Sequence, residues 1–342
     1  MGEMMDALVY RGKDTPAKER REVPRPRPGE ALIRVRNAGI CGTDLSILAG
    51  VHPRAKAPLV MGHEFAGELV ELNDGGRSGF RPGDRVTAEP LISCGGCYAC
   101  AMGFPHVCSN LKLYGIDEDG AFAGFVRVPV KKLYRIPQEI PFSIGALIEP
   151  LSVAVHAVRR SGISTGDRVC VLGGGAVGML IALVARHNGM DVIVFEKQPK
   201  RVSIARELGV HALCIDEKDP AEELFRMTGG RGADVVFEAA GAPESVLLAP
   251  RMCRVRGELV VVAIPKDPRS MDLVSLTFKE ITVRGTRVYE PFDFERAIRL
   301  LSAGVGDLKK LIHGPFRLEE AEDAFIAAKE GREAMRVLFE MD

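Results

Sequence analysis

The sequence predicts an α/β protein with two domains, a β-rich N-terminal domain followed by a doubly wound parallel sheet. Up to about residue 145, short β-like runs alternate with proline- and glycine-rich turns such as 24–29 and 81–84. Beyond Glu149, apolar strand-like runs alternate with helical runs, the pattern of a parallel sheet covered on both faces. The length of 342 residues suits about two domains of roughly 100–200 residues each.

The elements can be assigned in order along the chain. In the first domain the predicted strands are MDALVY, EALIRVRNA, EFAGELVEL and AFAGFVRVPV. In the second, the strands RVCVLG, DVIVFE, ALCI, ADVVFEAAG and GELVVVAI alternate with the helices AVGMLIALVARHNG, KRVSIARELG, AEELFRMTG and ESVLLAPRMC. After a strand near Thr282 come the helices DFERAIRLLSAG and LEEAEDAFIAAKEG and the strand AMRVLFEM. We expect domains at 1–147 and 148–285, with 286–342 returning to the first.

Composition and charge exclude several function classes. Lys plus Arg number 46 and Asp plus Glu number 46, so bulk electrostatics favours neither a nucleic acid nor a membrane surface as partner. The N-terminal MGEMMDALVYRGKD lacks the apolar core of a signal peptide, and no run approaches the roughly 20 apolar residues of a membrane span. We therefore expect a soluble, cytoplasmic protein.

Four cysteines form a cluster with metal-ligand spacing. Cys94, Cys97, Cys100 and Cys108 are separated by two, two and seven residues. Clustered CxxC in a long chain favours metal over disulfides, and four thiolates close a tetrahedral Zn²⁺ shell. The cluster predicts a structural zinc site without an open position for chemistry. Cys170, Cys214 and Cys253 lie in apolar contexts and are predicted to be buried small hydrophobes.

A second group mixes ligand types. Cys41, His63 and Glu64 offer sulfur, imidazole and carboxylate, the kind of set that a catalytic zinc uses while it keeps one position for water or substrate.

A glycine-rich turn predicts a dinucleotide site. Gly173, Gly175 and Gly178 follow the strand RVCVL and open a helix. In that context they permit the tight turn, the approach of backbone to a pyrophosphate and close helix–strand packing. The helix N-terminus, which includes Ala176 and Val177, supplies N–H donors and partial positive charge to the phosphates.

The residues after the next strand bear on the choice between NAD and NADP. Glu196 lies about 20 residues beyond the turn, where a carboxylate accepts hydrogen bonds from ribose hydroxyls and repels a 2′-phosphate. Lys197 and Arg201 are neighbours that could instead meet a phosphate. We expect NAD, with NADP as the alternative.

Several motifs in fixed order resemble the zinc-dependent medium-chain alcohol and polyol dehydrogenases. The stretches are AGICGTDLSI, VMGHEFAGELVE, FRPGDRV, CGGCYACAMGFPHVC, IEPLSVAVHAV and VLGGGAVG. The resemblance implies a GroES-like catalytic domain around a Rossmann domain, two Zn²⁺ per subunit, NAD, a small alcohol or ketone substrate and a homodimer or homotetramer.

The resemblance also implies residue roles. Cys41 and His63 match catalytic zinc ligands, while Glu64 and Glu149 match carboxylates that can ligate the ion; which of them binds at rest stays open. Thr43 matches the hydroxyl that relays the proton of the alcohol. Many relatives have a histidine where this chain has Ser46, so the relay needs another end, and His52 is one candidate. The missing histidine also disfavours a threonine dehydrogenase.

The leading hypothesis is oxidation of a secondary alcohol (a polyol, a sugar-derived alcohol or a cyclitol) to a ketone. The alternatives within enzymes are L-threonine 3-dehydrogenase and 2,3-butanediol dehydrogenase. A crystallin-like structural protein is disfavoured because both zinc-ligand sets are present. A zinc-ribbon nucleic-acid binder is disfavoured by the balanced charge.

Overall fold

The chain forms two compact units in a computed structural model that describes residues 2–12, 16–216, 219–331 and 335–341. The first unit comprises Met1–Glu149, Glu290–Ser302 and Leu311–Asp342, and the second comprises Pro150–Tyr289 and Ala303–Lys310. The predicted domain limits of 1–147, 148–285 and 286–342 stay predictions. They differ from these units chiefly in the segment Ala303–Lys310, which groups with the second unit.

The first unit is built mainly of strands. They are β1 Met4–Tyr10, β2 Ala17–Glu22, β3 Glu30–Ile40, β4 Leu59–Val60, β5 Glu64–Leu72, β6 Arg85–Ala88, β7 Leu91–Ile92, β8 Lys112–Leu113, β9 Phe125–Pro129, β10 Leu133–Arg135, β17 Ile312–Phe316 and β18 Arg336–Glu340. Its helices are α1 Gly42–Leu48, α2 Tyr98–Ala101, α3 Phe142–Gly145, α10 Pro291–Ser302 and α11 Ala321–Glu330.

The main sheet of this unit has the order β10-β6-β5-β3-β18-β17, and β9 pairs with β3. Most neighbours are antiparallel, but β17 and β18 run parallel. β3 is the central strand because eight of its eleven positions are buried and it has partners on both edges. A smaller sheet, β2-β1-β4, buries Ala7, Val9 and Val60.

The second unit alternates strands and helices. The strands are β11 Arg168–Leu172, β12 Asp191–Glu196, β13 His211–Cys214, β14 Ala233–Glu238, β15 Cys253–Val261 and β16 Thr282–Gly285. The helices are α4 Ile148–Arg160, α5 Ala176–His187, α6 Pro199–Glu207, α7 Pro220–Met227, α8 Pro243–Met252 and α9 Leu273–Phe278. The first two residues of α4 belong to the segment Met1–Glu149 of the first unit.

These strands form a parallel sheet in the order β13-β12-β11-β14-β15-β16, which confirms the predicted doubly wound arrangement. The central strands read as apolar runs because both of their faces are covered. The strand order reverses between β11 and β14, and ligands of such sheets bind at that point.

Two of the three cysteines predicted to be buried are buried, Cys170 and Cys253. The prediction was wrong for Cys214, which is only half-buried because it ends β13, the edge strand of the sheet. Within the described part of the chain, every helix is too short or too polar to cross a membrane.

Candidate functional site

Cys41 lies where the central strand of the first unit passes into a short helix. β3 ends at Ile40, and Cys41, in an extended conformation, is the N-cap residue of α1. The Asp44 carboxylate reaches back and accepts the Cys41 N–H at 2.8 Å. This capping interaction explains why the helix starts here and fixes the backbone that presents the Cys41 sulfur.

His63 and Glu64 lie at the start of the neighbouring strand. The β3–β5 register pairs Gly39 with Glu64, which brings this carboxylate beside the end of β3. A Cβ at Gly39 would lie 2.7 Å from Glu64 Oε2. Gly62 has φ +92° and a Cβ there would lie 2.4 Å from the Phe122 ring, so only glycine fits before His63.

The predicted ligands therefore converge. Ligand atoms of Cys41, His63 and Glu64 all lie within 4.8 Å of one another. His63 Nε2 lies 4.0 Å from Glu64 Oε1, while its Nδ1 lies 3.9 Å from Asp44 Oδ1 on the other side of the ring. Thr43 Oγ1 lies 3.8 Å from Cys41 Sγ.

Electrostatics at this cluster favours a bound cation. Burial opposes the charged imidazole, but the negative charges of Cys41 and Asp44 outweigh it and raise the pKa of His63 well above its usual value. Glu149, 6% exposed in the first turn of α4, also raises the His63 pKa. Burial raises the pKa of Asp44 to about 6. Buried anionic groups at this density are stable only if positive charge lies nearby, because burial removes the water that would otherwise solvate them.

Arg336 supplies part of that charge, and the sequence did not predict it. It begins β18, which pairs antiparallel with β3. Its side chain is 5% exposed, and its Nη1 lies 3.2 Å from Glu64 Oε1 and donates to the Ile40 carbonyl at 3.0 Å. The signal in the sequence was an arginine at the start of the strand AMRVLFEM, whose other residues are apolar except Glu340.

The donor set fits a catalytic Zn²⁺. Glu64 Oε2 is buried without a hydrogen-bond partner, although buried carboxylate oxygens are normally satisfied. One thiolate, one imidazole and one or two carboxylates are ligands that an open zinc site uses. Glu64 is thus placed between Arg336 and the other ligands, and Glu149 lies close enough to affect the pKa of both His63 and Arg336.

Ser46 and His52 have other hydrogen bonds. The Ser46 hydroxyl donates to the Gly42 carbonyl one turn earlier in α1 at 3.1 Å. His52 Nδ1 accepts the backbone N–H groups of Arg54 and Ala55 at 3.4 and 3.2 Å. Burial, then the Arg54 charge, lower the pKa of His52. His52 is therefore held in its neutral form, with Nδ1 engaged.

The four clustered cysteines fit a tetrahedral ion. Sγ atoms lie 3.4 Å (Cys94–Cys108), 3.5 Å (Cys97–Cys100) and 3.7 Å (Cys97–Cys108) apart. A tetrahedron with Zn–S bonds of about 2.3 Å has edges of about 3.8 Å. Backbone N–H groups of Cys94 and Asn110 donate to Cys108 Sγ at 3.3 Å, and backbone hydrogen bonds lower the pKa of Cys97 to about 6. Such donors favour thiolates, the form that binds metal.

The glycine turn of the second unit has the geometry of a phosphate cradle. Gly173 has φ +96°, and a Cβ at Gly178 would lie 1.9 Å from the Gly173 carbonyl oxygen. A Cβ at Gly175 would meet only Arg201, at 3.8 Å, so the space above this residue is open. α5 starts directly afterwards with Ala176 and Val177, which orients its N–H groups toward that space.

Glu196 ends β12 beside this turn. Its Oε2 accepts the Gly174 N–H at 2.7 Å and lies 3.8 Å from Arg201 Nη1, while Oε1 accepts the Gln198 N–H at 2.8 Å. The side chain is 6% exposed and retains lone pairs for a ligand. Lys197 next to it is exposed.

Both units match known family models. Residues 27–138 match the alcohol dehydrogenase GroES-like domain, and residues 176–303 match the zinc-binding dehydrogenase domain.

Curated relatives match over almost the whole chain. The 2-dehydro-3-deoxy-L-galactonate 5-dehydrogenase of Pseudoalteromonas atlantica is 39% identical over 92% of each chain. The sorbitol dehydrogenase of Halalkalibacterium halodurans is 36% identical over 98% of each. The L-threonine 3-dehydrogenase of Bacillus subtilis is 35% identical over 91% of this chain and 92% of that protein.

Solved structures agree with this fold. A zinc-binding dehydrogenase of Sinorhizobium meliloti bound to NADP is 32% identical, with a TM-score of 0.92, over 99% of this chain and 100% of that one. An alcohol dehydrogenase of Escherichia coli CFT073 complexed with NADH is 30% identical, with a TM-score of 0.90 and the same coverage. This chain therefore belongs to the zinc-dependent medium-chain dehydrogenase family, in its polyol branch, and is an oxidoreductase.

Proposed function

We propose that this enzyme oxidises a secondary alcohol of a polyol or another sugar-derived substrate to a ketone, with NAD as the hydride acceptor. The observation that carries the proposal is the cluster of the half-buried Cys41 with the buried His63 and Glu64, whose ligand atoms lie within 4.8 Å of one another. The glycine turn beside Glu196 on the second unit supports the nucleotide part of the proposal.

Each residue of the cluster has a proposed duty. Cys41, His63 and one of Glu64 or Glu149 hold a Zn²⁺ ion, with Asp44 fixing the Cys41 backbone. When bound, the ion acts as a Lewis acid that lowers the pKa of an alcohol oxygen. The Thr43 hydroxyl, 3.8 Å from Cys41 Sγ, accepts the substrate's hydroxyl proton and passes it outward. Cys94, Cys97, Cys100 and Cys108 hold a second, structural Zn²⁺.

The preference for NAD over NADP rests on Glu196. Its carboxylate is buried beside Gly174 and would repel a ribose 2′-phosphate. The Arg201 guanidinium would attract a 2′-phosphate. It lies 3.8 Å from the Glu196 carboxylate, however, and this negative charge offsets its own. The two similar structures hold one cofactor each, NADP and NADH, so the relatives alone do not decide the choice.

The substrate class follows from the relatives together with the site. Two of them are named for a sugar acid derivative and for sorbitol, which are both polyhydroxylated carbon chains. The similarity to L-threonine 3-dehydrogenases favours an amino alcohol as the second candidate, with 2,3-butanediol as a further alternative. All three classes share a secondary hydroxyl beside another polar group. The cysteines are not joined in disulfides, which is consistent with a reducing, cytoplasmic setting.

We also propose that the enzyme is a homodimer or homotetramer. β16 is an edge strand of the parallel sheet, and all four of its residues are exposed. Nearby in sequence, α9 exposes Leu273, Val274 and Phe278, the last at 85%. An exposed edge with apolar neighbours is a template for pairing with a second copy.

An activity panel tests the proposal. Zinc-loaded enzyme is assayed by NADH absorbance with sorbitol, other polyols, sugar acids, L-threonine and 2,3-butanediol. We expect turnover with a polyol or sugar acid, and more than about tenfold loss in Cys41→Ser, whose fold is checked by circular dichroism. No turnover with any secondary alcohol, or unchanged kcat in Cys41→Ser, would contradict the proposal.

A further inference from the structure

A second buried glutamate lies beside the glycine turn, on the opposite side from Glu196. Glu238 ends β14, and the β11–β14 register pairs it with Leu172, the residue before Gly173. Its side chain is 1% exposed. Because the carboxyl ends of parallel strands meet at one edge of a sheet, Glu196 and Glu238 flank the end of β11 from its two neighbouring strands.

Glu238 fixes the loop that follows it. Its Oε1 accepts the backbone N–H groups of Ala240 and Gly241 at 3.1 and 2.8 Å, and the Ser245 hydroxyl at 2.7 Å. Gly241 has φ +68°, a conformation that glycine adopts without strain. Since three donors converge on one oxygen, this carboxylate joins the loop 239–241 to the first turn of α8.

The same loop contacts the glycine turn. A Cβ at Gly173 would lie 2.9 Å from the Ala240 Cβ, so the loop packs closely against the first glycine of the turn. The loop has one further side-chain contact, from Arg269, whose Nε donates to the Gly241 carbonyl at 3.3 Å. This bond is longer than the bonds to the buried carboxylate. The position of the loop beside the phosphate cradle therefore depends chiefly on Glu238.

The loop lies on the side toward which a bound dinucleotide extends. With its adenosine ribose at Glu196 and its pyrophosphate at the glycine turn, as proposed above, a dinucleotide crosses the end of β11 where the strand order reverses. Its nicotinamide half then lies on the β14 side. The loop 239–241 continues β14, so we expect it to lie beside this half.

We propose that Glu238 is a positioning residue for the nicotinamide half of the cofactor, because it holds the loop 239–241 against the glycine turn before the cofactor binds. A loop that has to be ordered on binding loses conformational freedom, and this loss subtracts from affinity. The inference rests on the dinucleotide site of the proposed function and adds a residue to it. It does not depend on which alcohol is oxidised.

The hydrogen bonds indicate that the length of the Glu238 side chain matters more than its charge. Oε1 holds the loop, whereas Oε2 is buried and has no hydrogen-bond partner among the described residues. A glutamine has the same length and can place its carbonyl oxygen at the Oε1 position and its amide nitrogen at the Oε2 position, where no donor opposes it. An aspartate keeps the charge but is one methylene shorter. The two substitutions therefore separate reach from charge.

Titrations with NADH and with AMP test the inference, because AMP carries only the adenosine half. We expect Glu238→Ala and Glu238→Asp to weaken NADH binding more than about tenfold and to leave the Kd of AMP within about twofold. Glu238→Gln should bind NADH within about threefold of the wild type, since its carbonyl still accepts both N–H groups. The matched control is Glu258→Ala on β15, which aligns with Val235, three residues before the end of β14, and should change neither Kd.

Circular dichroism shows which variants are folded, and Glu238→Asp is the milder change if Glu238→Ala misfolds. Unchanged NADH affinity in the folded variant would overturn the inference. Equal weakening of NADH and AMP would overturn it as well, because it would indicate a general disturbance of the second unit. So would a defect in Glu238→Gln with normal binding by Glu238→Asp, since charge would then matter and reach would not. A wild type that binds neither NADH nor AMP would instead contradict the proposed function itself, and the inference with it.

Discussion

At the scale of single residues, the site depends on buried charges that neutralise one another. Glu64 is 1% exposed and its carboxylate faces the Arg336 guanidinium, 5% exposed, at 3.2 Å. Removing one member of such a pair leaves the other charge uncompensated in a low-dielectric environment. Arg336 also donates to the Ile40 carbonyl, next to Cys41. This side chain therefore links the C-terminal strand to the metal ligands.

Replacement of Arg336 tests this link. Arg336→Gln should lower the free energy of unfolding by roughly 3–5 kcal/mol, the usual effect of breaking a buried ion pair. Urea unfolding measures it. The control is Arg11→Gln, which breaks the exposed Arg11–Glu19 pair (2.7 Å) and should change stability by about 1 kcal/mol or less. Equal effects of the two variants would show that burial of the Arg336 pair has no energetic consequence.

His52 has a predicted pH behaviour. Because burial and the Arg54 charge lower its pKa from the ordinary histidine value, it is neutral from pH 7 upward. Its Nδ1 already accepts two backbone N–H groups, so it is a poor end for a proton relay. We expect His52→Asn, which keeps an acceptor near the Nδ1 position, to leave the pH profile of kcat/KM unchanged, including any rising limb below pH 7. Loss of that limb in the variant would assign the relay to His52.

We expect Glu196 to determine the choice between NAD and NADP. Glu196→Ala should raise the KM for NAD roughly tenfold or more and relax discrimination against NADP, since a hydrogen bond to a charged group is worth about 1.5–3 kcal/mol. Steady-state kinetics with both cofactors measures the ratio. Glu207→Ala, an exposed change at the end of α6, is the control. An unchanged NAD/NADP ratio in Glu196→Ala would remove the basis for the NAD preference.

The residues that could be predicted share a local signature. Cys94, Cys97, Cys100 and Cys108 are close in sequence, and their spacing alone indicates one ion. Arg336 and Asp44 could not be predicted as site residues in the same way. Arg336 reaches Glu64 and the Ile40 carbonyl only because β18 pairs with β3. Arg336 and Ile40 are 296 positions apart in the sequence, so no local pattern reveals this contact. Asp44 gives no comparable signal, because the sequence alone does not show that its carboxylate accepts the Cys41 N–H.

At the scale of elements, the strand–turn–helix β11–α5 shows how far pattern reasoning extends. The sequence predicted the strand, the turn and the helix because each has local signals, and the structure confirms all three. The helices α1 and α9 were not predicted. α1 spans only seven residues and α9 six, and α9 buries none of its residues, so neither produces a clear apolar periodicity.

The glycines of that turn should differ in their effects. Gly178→Ala places a Cβ 1.9 Å from the Gly173 carbonyl oxygen and should lower the free energy of unfolding by about 1–3 kcal/mol or more. Gly175→Ala has room in the protein alone, so it should leave stability nearly unchanged and weaken NAD binding instead. Thermal unfolding and NADH fluorescence titration separate the two. Equal destabilisation by both variants would contradict the assigned roles.

At the scale of the whole molecule, we propose that two zinc sites have separate duties. At the Cys41 cluster, His63 and Glu64 are buried and the ligand types are mixed, whereas the four-cysteine cluster is made of sulfur alone and ranges from the exposed Cys94 to the buried Cys108. The mixed cluster is suited to chemistry, and the four-sulfur cluster is suited to holding its loop in one conformation. This division was predictable because ligand type and spacing are local properties. The burial of each cluster was not predictable, because it depends on the folded unit.

Metal content per chain in active protein tests this division most directly. Elemental analysis, combined with the activity assay, is applied to the wild type, Cys41→Ser and Cys97→Ser. We expect two zinc ions per wild-type chain and one per Cys41→Ser chain, which keeps its stability but loses activity. Cys97→Ser should hold one ion and lose mainly thermal stability and assembly. Fully active wild-type enzyme with a single tightly bound ion per chain would contradict the account.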